Sequence, residues 1–217
     1  MDFTRILAAD WQALFHGLLT TLWLSGFTLA LGSVLAVAHV NVRLFASLSV
    51  LRLPMQFVVE VVRSTPLLVQ LLLVYFGLPL VGVSIASTPT AILVLTVYSA
   101  AYLSGIVWGA VESVPKVQWE ACLSLGLTRR HLLARFIYPQ ALRVALPAAT
   151  GFAVTLIKGS SLVTVIGFAD LTHVGKQINE LTFQPFIVYG AVVLGYFALC
   201  FPLSIVSQRL EGKVRAR

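Results

Sequence analysis

The residues best suited to chemistry in this chain are gathered between Trp119 and Pro147, where Glu120, Arg129, Arg130, His131, Arg135 and Arg143 interrupt long apolar runs. One carboxylate, four guanidiniums and an imidazole at this spacing are tools for docking on charged groups, a partner protein or lipid phosphates, and not for bond-breaking. Read locally, Pro115 opens a helix at a position where its missing N–H is harmless, and Glu120 falls in the first turns. Gly126 ends that helix, because glycine enters the left-handed conformation of a C-terminal cap most easily. Thr128 is the expected N-cap of a second helix over TRRHLLARFIY, which Pro139 should stop. Trp119, Leu123, Leu127, Leu132, Leu133 and Phe136 supply apolar faces. Such a hairpin suits two uses, an amphipathic connector lying on headgroups or a docking element seated in a partner's groove.

The elements that must position it are membrane spans. Of 217 residues, 59% are hydrophobic and 11% charged, against about 25% charged in a soluble domain. The net charge of +7 falls between apolar runs and forms no continuous stripe, which argues for membrane-flanking charge and against nucleic acid. Cys122 and Cys200 lie in unlike settings, so neither a disulfide nor a metal pair is expected. Trp11 to Val40 is too long an apolar stretch for a signal peptide and reads as a retained first span.

A spanning helix needs about 20 apolar residues. Five segments qualify: Gly17 to Val40, Phe57 to Leu80, Thr90 to Val111, Ala141 to Ala169 and Leu181 to Ser207, with a turn over Gly77 to Pro89 between the second and third. The expected fold class is all-α integral membrane, five transmembrane helices with a cytoplasmic helical hairpin between helices 3 and 4. Arg43, Arg52, Arg63, Lys116, Arg129, Arg130, Arg135, Arg143, Arg209, Lys213, Arg215 and Arg217 mark the cytoplasmic side. Arg5 and Lys176, offset by Asp2, Asp10, Asp170 and Glu180, mark the other, so the N-terminus is outside and the C-terminus inside. Without an internal inverted repeat, so small a bundle needs a second copy or a homologous partner to build a solute path.

Glu120-Ala121-Cys122, then Gly126, then Leu146-Pro147 resemble the EAA loop of ABC importer membrane subunits, with Cys122 in place of the second alanine. TTLWLSGFTLALGSVLAV, VVRSTPLLVQLLLVYFGLP, AAYLSGIVWGAVESVP, FIYPQALRVALP and KGSSLVTVIG extend the resemblance over nearly the whole chain, to the permeases of the polar amino-acid uptake family, the histidine, glutamine and arginine systems. The resemblance implies a single type I importer-like transmembrane domain over residues 1–217, with the coupling loop at 113–140. It implies a bacterial cytoplasmic (inner) membrane setting, a second permease subunit, identical or homologous, ABC ATPase subunits on the loops, and an extracytoplasmic binding protein delivering an amino acid. The chain has no G-x-x-x-x-G-K-[ST], so it is not expected to be an enzyme. It should bind no cofactor, ATP and Mg being used by the partner ATPase.

The implied coupling residues are Glu120, Ala121, Gly126, Arg129 and Arg130. A carboxylate near a helix N-terminus also stabilises by about 0.3–1 kcal/mol, and the arginines serve a membrane surface equally well. Polar residues on the spans, Gln70, Ser99, Tyr102, Lys158, Ser160 and Ser161, are candidates for the substrate path; each is also able to hydrogen-bond a neighbouring helix. Lys158 matches the family's K-x-T-S-L lysine, and a tether to a carbonyl or carboxylate is its favoured role. Glu60 and Arg63, three apart, are expected to pair. The chain departs from the family where N-S-A-A-Y-x-x-E-I-x-R-G is common: Gly105 replaces the acid and Trp108 the arginine, while Gly151 and Gly159 replace the usual Asn and Asp. Either a partner subunit holds the solute or the solute is less cationic. A secondary carrier or channel-forming bundle is the competing class; it would need relay carboxylates near mid-span, and Glu60 and Glu112 lie near cytoplasmic ends.

Overall fold

The structure, a computed structural model, describes residues 6–45 and 49–215, with the side chains of 49–51 and 215 excepted. Asp2, Arg5 and Arg217, three of the orientation charges, lie outside the described residues. The described residues are helical with short connections: α1 Ala8–Phe45, α2 Ser49–Ser64, α3 Leu67–Leu72, α4 Ser87–Glu112, α5 Lys116–Ser124, α6 Arg129–Leu132, α7 Tyr138–Ser160, α8 Leu171–Thr182 and α9 Pro185–Arg215.

The buried stripe of α1 is made of small and hydroxylic residues, among them Gly17, Thr21, Ser25, Thr28, Gly32 and Ala36. Trp11, Phe15, Leu22, Trp23 and Val34 point outward. Lipid attracts large apolar side chains as well as a protein core does, so helices associate through residues that let backbones approach. Against α4 the approach is so close that a Cβ on Gly32 would fall 2.4 Å from the Ser99 Cβ. The hydroxyls of Thr21 and Thr28 donate to the carbonyls of Gly17 and Leu24 in their own helix, which satisfies them without water. Around this α1–α4 pair, Leu24, Leu71, Leu95, Phe152, Leu156 and Val163 form the main core.

Among the described residues four helices are long and apolar enough to cross a membrane alone, and a fifth crossing requires a bent pair. The second span, expected as one helix from Phe57 to Leu80, is that pair: α2 and α3 meet at an angle of 112°. Pro66 has no N–H to donate and disfavours helical geometry in the residue before it, so α2 stops at Ser64 and α3 restarts with Pro66 extended (φ −64°, ψ 136°). Gln70 staples the break, its Nε2 lying 2.8 Å from the Val62 carbonyl oxygen, 2.9 Å from Thr65 Oγ1 and 3.1 Å from the Thr65 carbonyl oxygen. Beyond α3 a π turn (Leu73–Gly77) and a 3-10 turn (Leu78–Val81) lead to Gly82 at φ +86°, inside the expected turn.

Pro139 does not stop the helix that begins at Arg129. A π turn over Leu133–Ile137 joins α6 to α7, and Pro139 sits at the start of α7. The wider turn re-registers the carbonyls, so that the proline's missing donor and ring are accommodated. The fourth span is therefore continuous from Arg129 to Ile166, and the expected span from Ala141 is its later part. Between the last two spans the chain forms an amphipathic helix, α8, that the span pattern had not indicated. Asp170 caps it, accepting from the His173 and Thr172 N–H groups at 2.9 and 3.3 Å and from the Tyr196 hydroxyl at 3.1 Å.

Candidate coupling hairpin and solute path

The hairpin is built by its caps. Gly126 has φ +73°; its N–H donates to the Leu123 carbonyl, and the Leu127 N–H reaches back to Cys122, which is the Schellman closure of α5. Thr128 then caps α6, its Oγ1 lying 3.5 Å from the His131 nitrogen and 2.8 Å from His131 Nδ1. The expected bend and N-cap are both present. Glu120 lies in the second turn of α5, within the first turns as expected.

One face of the hairpin is buried. Cys122, Leu132, Leu133 and Ile137 pack on Ala110, Val111 and Val114 at the end of α4 and on Ala141 of α7, with Trp119 and Leu127 against them. Cys122 is therefore a small apolar residue in a packed layer, as a small-for-small replacement requires. Gln140 Nε2 donates to Gln118 Oε1 at 2.7 Å, joining α7 to α5, and the Tyr138 hydroxyl donates to Asn41 Oδ1 at 2.7 Å, joining α7 to α1. The other face is open. Glu120, Ala121, Gly126, Arg129 and Arg130 are all exposed, together with Val117 and Leu125, 72% and 79% accessible. A rigid hairpin anchored on one side, with charge and two bare aliphatic side chains on the other, has the makings of a docking element.

The candidate path residues do not converge. Gln70 is engaged at the α2–α3 break. Ser99 is buried at the α1–α4 crossing beneath Gly32. Ser160 bonds Ser25 of α1 at 3.3 Å, and Ser161 donates to the Lys158 carbonyl. Lys158 itself is exposed, in a groove with Val193, Tyr196, Phe197, Cys200 and Phe201 of α9; among the described residues no carbonyl or carboxylate holds its ammonium. Tyr102 is the exception. It stacks on Phe152 with centroids 5.5 Å apart and on Tyr98 at 4.6 Å, and its hydroxyl lies 3.4 Å from the Arg63 carbonyl oxygen.

The departures from the family pattern have physical neighbours. A Cβ on Gly105 would lie 3.2 Å from Arg63 Nη1, one on Gly159 would lie 3.2 Å from Leu67, and one on Gly151 would meet the Ser207 hydroxyl at 3.5 Å. Trp108 carries the guanidinium of Arg43 on its ring. Arg43 belongs to the last turn of α1, where its sequence reading made it a loop charge; no local pattern signals its pairing with Trp108 or that of Asn41 with Tyr138, because both are long-range. The expected Glu60–Arg63 pair is present at 3.8 Å.

Comparison with known proteins agrees with this architecture. Residues 28–216 match the family model described as binding-protein-dependent transport system inner membrane component. The glutamine transport system permease protein GlnP of Escherichia coli is 34% identical over 95% of this chain and 98% of its own length. The arginine ABC transporter permease protein ArtQ of Haemophilus influenzae is 34% identical over 91% of each chain, and the L-cystine transport system permease protein TcyB of Bacillus subtilis is 32% identical over 94% of this chain and 87% of its own. Among solved structures, an amino acid ABC transporter with histidines superposes with a TM-score of 0.89 at 31% identity, covering 98% of this chain and 99% of that one. The MetNI methionine ABC transporter, at 24% identity and a TM-score of 0.79, shares the fold. The chain belongs to the family of binding-protein-dependent transport system inner membrane components.

Proposed function

We propose that the chain is the membrane-spanning permease subunit of an ATP-driven importer of amino acids. In this reading it forms the solute path with a second permease subunit, and an extracytoplasmic binding protein delivers the amino acid. ABC ATPase subunits, which use the ATP and Mg, dock on residues 113–140 from the cytoplasm, so the N-terminus lies outside. The observation that carries the proposal is the two-sided hairpin: one face is packed on α4 and α7, while Glu120, Arg129, Arg130, Val117 and Leu125 are presented outward. Gly126 fixes the angle between the arms. The relatives whose names include amino-acid, glutamine, arginine and cystine transport support the substrate class.

Reconstitution in proteoliposomes with the cognate ATPase and binding protein tests it. Solute-stimulated ATP hydrolysis is expected in the native chain and is expected to fall to the unstimulated rate in Gly126→Pro, since proline cannot adopt φ +73°. Undiminished stimulation in a folded Gly126→Pro protein would sink the coupling role.

A further inference from the structure

Arg63 lies in the last turn of α2, just before the 112° break, so the chain leaves at an angle and no following turn of the same helix covers its side chain. The guanidinium lies along α4 instead, Nη1 and Cζ resting 3.2 and 3.5 Å from the point where a Cβ on residue 105 would stand. Gly105 is seven residues before the Glu112 end of α4, about 10 Å along the helix at 1.5 Å per residue. The guanidinium thus lies about two turns from that helix end, with much of the side chain still accessible.

Its partners are few. Glu60 Oε1 is 3.8 Å away, beyond hydrogen-bond length, and the two side chains are 42% and 59% accessible for Arg63 and Glu60 respectively. The ring of Tyr102 lies 5.8 Å from Cζ. No other ion pair or hydrogen bond engages the Arg63 guanidinium among the described residues, which leaves most of its five donors unused. Tyr102 in turn contacts the rings of Tyr98 and Phe152, so an aromatic surface runs on from the guanidinium. An acid at 105 would be aimed at the guanidinium and would fill its fork from within; with glycine there, the fork is open to a carboxylate brought from outside, the ligand its planar geometry fits in a bidentate manner.

We infer that the Arg63–Gly105 notch receives the carboxylate of the transported amino acid, and that the solute carries a neutral or acidic side chain rather than a cationic one. Glu60, the acid paired with Arg63 among the described residues, is the group the incoming carboxylate displaces. The aromatic wall takes the apolar part of the solute. The inference rests on the amino-acid importer reading, which it makes narrower.

The experiment places a thiol in the notch: Gly105→Cys, in a Cys122→Ser, Cys200→Ala background, in the assembled permease–ATPase complex. Modification rates are compared for an anionic sulfonate and a cationic trimethylammonium methanethiosulfonate. The anionic reagent is expected to react roughly tenfold faster, a neighbouring unit charge at short range being worth a factor of that order. Adding Arg63→Gln is expected to erase the preference. L-Glutamine and L-glutamate are expected to protect the thiol, whereas L-arginine and the carboxamide of glutamine are not. Equal rates for the two reagents, a preference that survives Arg63→Gln, or protection by the carboxamide equal to that by glutamine would each overturn the inference. ATP-driven uptake by the native chain in the same membranes reads the importer function separately: uptake with a flat charge preference defeats the notch alone, and an anion preference without uptake of any amino acid defeats the importer reading.

Discussion

The Arg43 guanidinium carbon lies 3.5 Å from the centroid of the Trp108 ring, which ties the last turn of α1 to the end of α4 beside the hairpin. A cation over an indole contributes about 0.5–2 kcal/mol, more when partly desolvated. Trp108→Leu is therefore expected to lower the unfolding temperature in detergent by a few degrees. Trp108→Arg, which sets two guanidiniums face to face, should lower it further, and Trp108→Phe least. Equal losses in all three would mean that ring volume, and not charge on a π face, holds the contact.

Gln70 is the staple of the broken second span. Gln70→Leu keeps the bulk but removes the amide donor from the part-buried Val62 carbonyl, a loss of about 1 kcal/mol. Limited proteolysis should show faster cleavage around residues 64–66 in the variant, with the hairpin unaffected. Unchanged cleavage would show that the break is held by packing alone.

Gly32 and Gly26 make a controlled pair on one helix. A methyl group on Gly32 would stand 2.4 Å from the Ser99 Cβ, while one on Gly26 would meet nothing within 4 Å. Gly32→Ala is expected to force α1 from α4 at a cost of about 1–3 kcal/mol and to reduce the monodisperse yield in size-exclusion chromatography. Gly26→Ala should match the native chain.

Asp170 is fully buried, and burial pushes its carboxyl above the usual carboxylate range even though the His173 and Thr172 N–H groups and the Tyr196 hydroxyl hold the ionised form. The folded protein thus binds this proton more readily than the unfolded chain, whose value is about 3.9. The stabilisation linked to that proton is complete below the unfolded value and is lost as pH rises through the raised folded one. Asp170→Asn, which retains a capping oxygen, is expected to flatten the dependence of unfolding temperature on pH in the acid range. A native profile as flat as the variant's would contradict the assignment.

Much of the architecture was legible in the sequence, and the reasons are local. Span positions follow from runs of apolar residues, and the bend at Gly126 and cap at Thr128 follow from conformational preferences that act within four residues. The two prolines divided the reading. Pro66 breaks its helix, although the apolar run across it conceals the break; Pro139 was expected to end a helix but is absorbed by a π turn whose cost is met by Leu132, Leu133 and Ile137 packing on α4. The placement of single polar side chains was the least legible part. Ser99, Ser160 and Lys158 look alike as polar residues on spans, yet one is sealed under Gly32, one bonds Ser25 and one lines an open groove, outcomes that depend on helices distant in the chain.

The unbroken run from Arg129 to Ile166 has a mechanical consequence. With no loop between the hairpin's second arm and the fourth span, a displacement at the hairpin's tip has no slack in which to dissipate. Such a displacement would be passed along the continuous run toward Ser160 and Val163, which pack beside α1 and α3.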